Sequence, residues 1–316
     1  MTYPATPPAK YINANFANSK AAQSDRPPQI TPFRYSYVET QPNIYSAEIA
    51  PLQVGIQKGP DMPPMTDPST IALGFAPEDA IIVTGAASGI GRATAVFAAS
   101  LGLHVSAWDR DDEGLAQLQA GVGRQHFAAR LHTQLADVSD SASRRSALNE
   151  TAATVGIPRY LVNNAGPSSH IALEFDDAVR ISVGSVRGLT TEWLEAGPPA
   201  NAATVVTSSV VGTRIGAEND WYAASKAAVL GYVRHLAVHH GQRLRANAIA
   251  PGMTDTPRMS GFIGSDAGAR VIRRVPLGRM GHPAEMAWTI LFLLSPLASY
   301  INGQLLTVDG GWTVNQ

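Results

Sequence analysis

The sequence predicts an α/β protein in which a parallel sheet is covered by helices on both faces, and three observations predict it. From Ala80 onward, short β-rich runs alternate with longer stretches of helical character. That alternation implies right-handed crossovers, which make the strands parallel and place helices over both faces. The first run, Ala80–Thr84, passes directly into a turn with glycines at 85, 89 and 91. A run ending in Ser208-Ser209 is followed by Tyr222 and Lys226, four residues apart on an expected helix.

Residues 1–77 stand apart from this pattern. They hold 13 of the 22 prolines and five of the nine tyrosines. Proline fixes φ and removes backbone donors, so the segment is not expected to build regular structure of its own. Two readings stay open. One is a solvated tail; the other is an extended arm that packs on the body or on a neighbouring subunit, with Phe33–Thr40 as a short strand within it. Residues 78–316 form the second region.

In that region the expected strands are Ala80–Thr84, Leu103–Trp108, Leu131–Asp137, Tyr160–Asn164, Ala203–Ser209, Arg245–Ala250 and Gln304–Gly311. After the first, Gly85 permits a tight turn, Gly89 lets backbone approach a pyrophosphate, and Gly91 lets the helix start close to the sheet. The helix expected over 92–101 aims its N-terminal N–H groups and positive dipole end at the phosphates. The loop therefore reads as dinucleotide-binding, with Ser88 and Ile90 between its glycines. A glycine turn alone is weak evidence; its position between strand and helix gives it force.

The second strand leads into Asp109, placed to accept from the adenosine ribose hydroxyls and to repel a 2′-phosphate. The loop residues Ala86, Ala87 and Ser88 carry no base to offset that repulsion, so NAD is favoured over NADP. Arg110 is the opposing observation, since a guanidinium can pair with a phosphate. Asp137, followed by Val138, either orients the adenine or caps the next helix. Asn164, Ala165 and Gly166 end the fourth strand with the small and amide side chains that suit close approach of a cofactor.

The chemistry rests on Ser209, Tyr222 and Lys226. Residues four apart share a helical face, so the phenol and the ammonium are expected side by side. A free phenol titrates near ~10, too high for proton transfer at neutral pH. Positive charge from Lys226 and from oxidised nicotinamide is expected to lower that value. Ser209 would hold the substrate oxygen while Tyr222 exchanges the proton.

Other chemistries are less supported. The chain has no cysteine, which excludes disulfides, thiolate nucleophiles and Cys-ligated zinc and fits a reducing cytoplasm. The net charge of −1 gives no nucleic-acid footprint. No apolar stretch is long enough for a membrane span, and no secretory signal opens the sequence. His235, His239 and His240 read as surface or packing residues, with no metal site expected. No G-x-S-x-G elbow appears, so hydrolase chemistry is unsupported.

Together, T-G-x-x-x-G-I-G at 84–91, N-N-A-G at 163–166, Ser209, Y-x-x-x-K at 222–226 and P-G at 251–252 resemble the short-chain dehydrogenase/reductase family. The resemblance covers residues 78–316. It implies a single doubly wound, Rossmann-type domain with a seven-stranded parallel sheet, and a dehydrogenase or reductase acting on a secondary alcohol or ketone. It implies that Tyr222 is the acid/base, that Lys226 also holds the nicotinamide ribose, and that Ser209 stabilises the substrate. It places Pro251, Gly252, Met253 and Thr254 at the nicotinamide carboxamide and suggests a homotetramer or homodimer.

One position departs from the family. An Asn usual on the helix before the catalytic serine is matched here, by spacing, to Ser185. That departure and the Pro-rich segment motivate a second reading, a dinucleotide-binding regulatory or scaffolding protein with weak or lost turnover. Substrate identity is expected to depend on the loops at 167–171, 210–215 and 255–274, the last a candidate lid with Gly261, Gly264 and Gly268.

Overall fold

The computed structural model describes residues 72–216, 219–259, 262 and 265–315. All of the expected arm but residues 72–77, its strand at Phe33–Thr40, and Gly261 and Gly264 of the candidate lid lie outside them. Seven parallel strands form one sheet in the order β3-β2-β1-β4-β5-β6-β7. They are β1 (Ala80–Thr84), β2 (His104–Asp109), β3 (Leu131–Leu135), β4 (Tyr160–Asn163), β5 (Ala202–Thr207), β6 (Leu244–Pro251) and β7 (Leu305–Val308). The chain starts in the middle, winds outward to β3, then crosses back to β4 beside β1. That reversal opens a crevice at the C-terminal ends of β1 and β4, where ligands bind in such sheets.

Central strands are buried on both faces, so β1, β4 and β5 are continuous runs of buried side chains. One face packs on α1 (Gly89–Ser100), α2 (Asp112–Val122) and α7 (Pro283–Leu294), through Ala95, Ala98, Leu118, Ile290 and Leu294. The other packs on α3 (Ser141–Val155), α4 (Phe175–Glu195) and α5 (Asp220–His239), through Leu148, Leu189, Trp193, Val229 and Val233. A short α6 (Asp266–Ile272) contains Gly268. Leu73 and Phe75, ahead of β1, pack against the first layer.

The helices start where side chains can accept orphan N–H groups. Asp111 accepts from Gly114, Asp140 from Ser143, and Asn219 from Tyr222. His282 and Glu285 form a capping box around Pro283 at the start of α7. Between α3 and α4, buried Arg144 pairs with Glu192 through two hydrogen bonds of 2.8 Å. Gly188 leaves room for it, since a Cβ there would stand 2.6 Å from Arg144 Nη2.

Several boundaries shift from the sequence expectation. Helix α1 begins at Gly89, three residues early, so Gly89 and Gly91 belong to its first turn. β3 stops at Leu135 and β5 at Thr207, so Asp137 and Ser209 each lie two residues beyond a strand end. The capping role open to Asp137 belongs to Asp140 instead. Asp137 accepts from both the N–H and the hydroxyl of Ser139, which holds its carboxyl below the usual range.

Candidate active site

The C-terminal ends of β1, β4, β5 and β6 surround a cleft of about 300 Å³. The glycine loop supplies Gly85, Ser88, Gly89 and Ile90 to it; the end of β4 supplies Asn164 and Gly166. Ser209 enters after β5, Tyr222 and Lys226 from α5, and Pro251, Gly252, Met253 and Thr254 from the end of β6. Gly91, Asp109, Arg110, Asp137, Val138 and Ala165 do not line it. Asp109, Asp137 and Val138 lie instead at or beyond the ends of β2 and β3.

The loop is shaped for close approach. Gly85 and Gly89 have φ of +71° and +54°, which L side chains rarely adopt. A Cβ on Gly91 would run into the Gly85 carbonyl oxygen. Ser88, the N-cap of α1, makes no side-chain capping bond, and no acidic residue occupies the first turn. The first N–H groups of a three-turn helix thus face the cleft without a protein acceptor from the cap. This fits a pyrophosphate.

Asp109 braces the loop from β2, its Oδ2 accepting from the Ala87 N–H at 2.9 Å and its Oδ1 from the Asp111 N–H at 3.1 Å. Asn164 turns out to be a brace as well as a wall. Its amide donates to the Thr84 carbonyl at 3.1 Å and its N–H to the Thr84 hydroxyl at 3.0 Å, joining the ends of β1 and β4.

The reactive side chains are held from several directions. Asn219 accepts from the Tyr222 N–H and donates to the Ser169 carbonyl at 3.0 Å, tying the start of α5 to the loop after β4. Ser208 donates to the Lys226 carbonyl at 2.6 Å. Lys226 Nζ donates to the Thr207 carbonyl at 2.9 Å and stands 5.6 Å from the centre of the Tyr222 ring. The Ser209 side chain lies beside the Tyr222 phenol and favours its charged form.

The electrostatics differ from the expectation of a lowered phenol. Burial raises the Tyr222 pKa; the Ser209 side chain and the charge of Arg258 draw it back only in part. Burial also pushes the Lys226 ammonium down to about 8, with Arg258 adding to the shift. Desolvation outweighs the cation's pull because both side chains are largely withdrawn from solvent in the cleft wall.

The serine matched to the family's Asn also changes. Ser185 is buried on α4 but lines neither cavity beside Lys226. Ser182, one turn earlier, does. Its hydroxyl and those of Thr207 and Ser225 are buried without a hydrogen-bond partner around a pocket of about 10 Å³ that Lys226 and Tyr222 also line. That is the size of one water with hydroxyls to hold it.

Three further residues escaped the sequence reading. Asn219 was legible as a polar residue before a helix. Thr254 is buried and donates to the Gly252 carbonyl, whereas Thr256, two residues on, lies against Gly89. Arg258 donates to the Gly166 carbonyl at 3.2 Å. Trp221 is buried and meets the Tyr222 ring edge-on. Among the described residues no group of three or more His, Asp or Glu is placed to hold a metal. No described helix is long and apolar enough to cross a membrane.

A family model described as enoyl-(acyl carrier protein) reductase matches residues 85–313. An uncharacterized short-chain type dehydrogenase/reductase of Sinorhizobium fredii is 36% identical over 251 residues, which are 76% of this chain and 45% of that longer protein. The cis-4-hydroxycyclohexanecarboxylate dehydrogenase of Sinomonas cyclohexanicum is 36% identical over 249 residues, 75% of this chain and 97% of that one. The crystal structure of a short chain dehydrogenase from Burkholderia cenocepacia in complex with NADP is 28% identical, with a TM-score of 0.66, over 74% of this chain and 98% of that one. The glycine loop at the switch point, the Ser–Tyr–Lys cluster facing it and these matches together make the chain a member of the short-chain dehydrogenase/reductase family, NAD(P)-dependent oxidoreductases that act on CH–OH groups.

Proposed function

We propose that the protein interconverts a secondary alcohol and a ketone with NAD, using Tyr222 as acid/base. The observation that carries this is the convergence of Ser209, Tyr222 and Lys226 on one cleft that the glycine loop also lines, with Lys226 Nζ 5.6 Å from the centre of the Tyr222 ring.

The cofactor, when bound, gives or takes the hydride. The backbone of Gly85–Gly91 would hold its phosphates, and Asp109 its adenosine ribose. Arg110 and Asp137 lie on that same side, with Arg110 close enough to act on the Asp137 carboxyl. In the reducing direction the Tyr222 hydroxyl donates a proton to the substrate oxygen while Ser209 donates a second hydrogen bond to it. Lys226, held by the Thr207 carbonyl, favours the phenolate that remains. In the oxidising direction the same phenolate takes the proton from the alcohol.

Asp109 supports NAD, since its carboxylate braces the loop where a 2′-phosphate would lie. The NADP-bound relative gives the opposing case. Nicotinamide absorbance at 340 nm, followed with secondary alcohols and ketones and with each cofactor, tests both points. NAD-linked turnover that is lost in Tyr222→Phe supports the proposal. Binding of NAD with no turnover on any substrate would leave a dinucleotide-binding protein without this activity.

A further inference from the structure

The cleft carries an imbalance of charge that the reaction does not need. Its charged lining residues are Lys226 and Arg258, and no Asp or Glu lines it among the described residues. Lys226 has an assigned place beside the phenol. Arg258 does not. It lies on a short 3-10 turn, Pro257–Met259, that follows Thr256 over the glycine loop. Its described hydrogen bond runs to a neutral acceptor, the Gly166 carbonyl at 3.2 Å, and no described carboxylate pairs with it. Its charge nevertheless reaches the catalytic groups, where it lowers the pKa of both Tyr222 and Lys226.

We infer that Arg258 is a specificity residue and that the substrate is an alcohol or ketone bearing a carboxylate. This rests on the oxidoreductase reading above and names its substrate class. An exposed guanidinium at the edge of a cleft without acidic side chains, held only by a neutral carbonyl among the described residues, attracts an anion, and its planar fork matches a carboxylate at two points. The rest of the wall limits the body of that anion. Val211, Met259, Phe262 and Trp312 present hydrocarbon and ring surface. The volume of about 300 Å³ must also admit the nicotinamide end of a cofactor, so the substrate is small. A compact apolar skeleton with the reacting oxygen at one end and a carboxylate at the other spans Tyr222 and Arg258.

The cofactor's pyrophosphate is the competing anion for this side chain, and the experiment separates the two. The full-length protein is offered levulinate and 4-oxocyclohexanecarboxylate, each beside its methyl ester, with NADH. Initial rates are read at 340 nm, and binding to the NADH complex is read by calorimetry. In wild type, carboxylates should exceed esters in kcat/KM and in affinity by about tenfold or more, since an ionic hydrogen-bonded pair is lost in the ester. In Arg258→Gln the carboxylate-to-ester ratio should collapse to near one, and Arg258→Lys should restore part of it. Equal handling of acid and ester by wild type overturns the inference. So does a ratio retained in Arg258→Gln while NADH affinity falls, which places the guanidinium on the cofactor's phosphates. Discrimination in binding without any turnover keeps the carboxylate site and sinks the oxidoreductase reading instead.

Discussion

The carboxylate of Asp109 accepts the backbone N–H of Ala87 at 2.9 Å, so the end of β2 is tied directly to the glycine loop. The residue expected to choose the cofactor therefore also shapes the loop that binds it. Asp109→Asn keeps an acceptor oxygen for Ala87 and removes the charge. It should lower the kcat/KM preference for NAD over NADP by on the order of tenfold with little change in Tm. Asp109→Ala should lose both, with weaker binding of either cofactor in fluorescence titrations.

Tyr222→Phe deletes the hydroxyl beside Ser209 and leaves the ring against Trp221. Turnover should fall by about 10²–10⁴-fold, the range for a lost general acid/base. NADH binding and Tm should stay close to wild type. Because burial raises the phenol's pKa, alcohol oxidation by the wild type should climb with pH into the alkaline range. A flat pH–rate profile would contradict that assignment.

Lys226 links pH to stability. Its pKa is about 8 in the folded protein, against 10.5 for a solvated lysine of the unfolded chain. Between those values the unfolded chain binds more protons, so this group's contribution to stability rises with pH through the window. Below about 8 both states are protonated and the burial penalty is fully expressed. Cofactor-free wild type should therefore gain stability relative to Lys226→Met from pH 8 to 10.5, by up to about 3 kcal/mol. Chemical denaturation of both proteins at half-unit steps measures it.

Gly91→Ala places a Cβ against the Gly85 carbonyl, and backbone on both sides cannot give way. The variant should lose about 2 kcal/mol or more of stability, as overpacked sites do. It should also lose NADH binding, because the loop must open to relieve the clash. Gly184→Ala, in the open part of α4, is the control and should be neutral or slightly stabilising.

Much of this was legible because it depends on local spacing. Strand and helix order follow from periodicity, and the pairing of Tyr222 with Lys226 follows from the helical repeat. Where a loop leaves the sheet is set by tertiary contacts, so Asp137 and Ser209 fell outside the strands assigned to them. That Ser182, not Ser185, lines the small pocket beside Lys226 has the same cause. Both are buried on α4, and which of them reaches the pocket is settled by the packing of that helix on its neighbours. Thr256 and Arg258 were hidden because a chain that folds back over a cleft leaves no periodic trace. The raised Tyr222 pKa was missed because desolvation depends on what surrounds the helix, not on the helix.

The slot at Gly188 has a consequence for how this chain can vary. The glycine is present for the benefit of a neighbour, since it clears space for Arg144 on its way to Glu192. A larger residue at 188 would press on the flexible end of Arg144 and loosen its ion pair with half-buried Glu192. The three positions are therefore epistatically coupled. A library that samples them one at a time would underrate position 188, which opens further once a small apolar residue stands at 144 and a neutral one at 192.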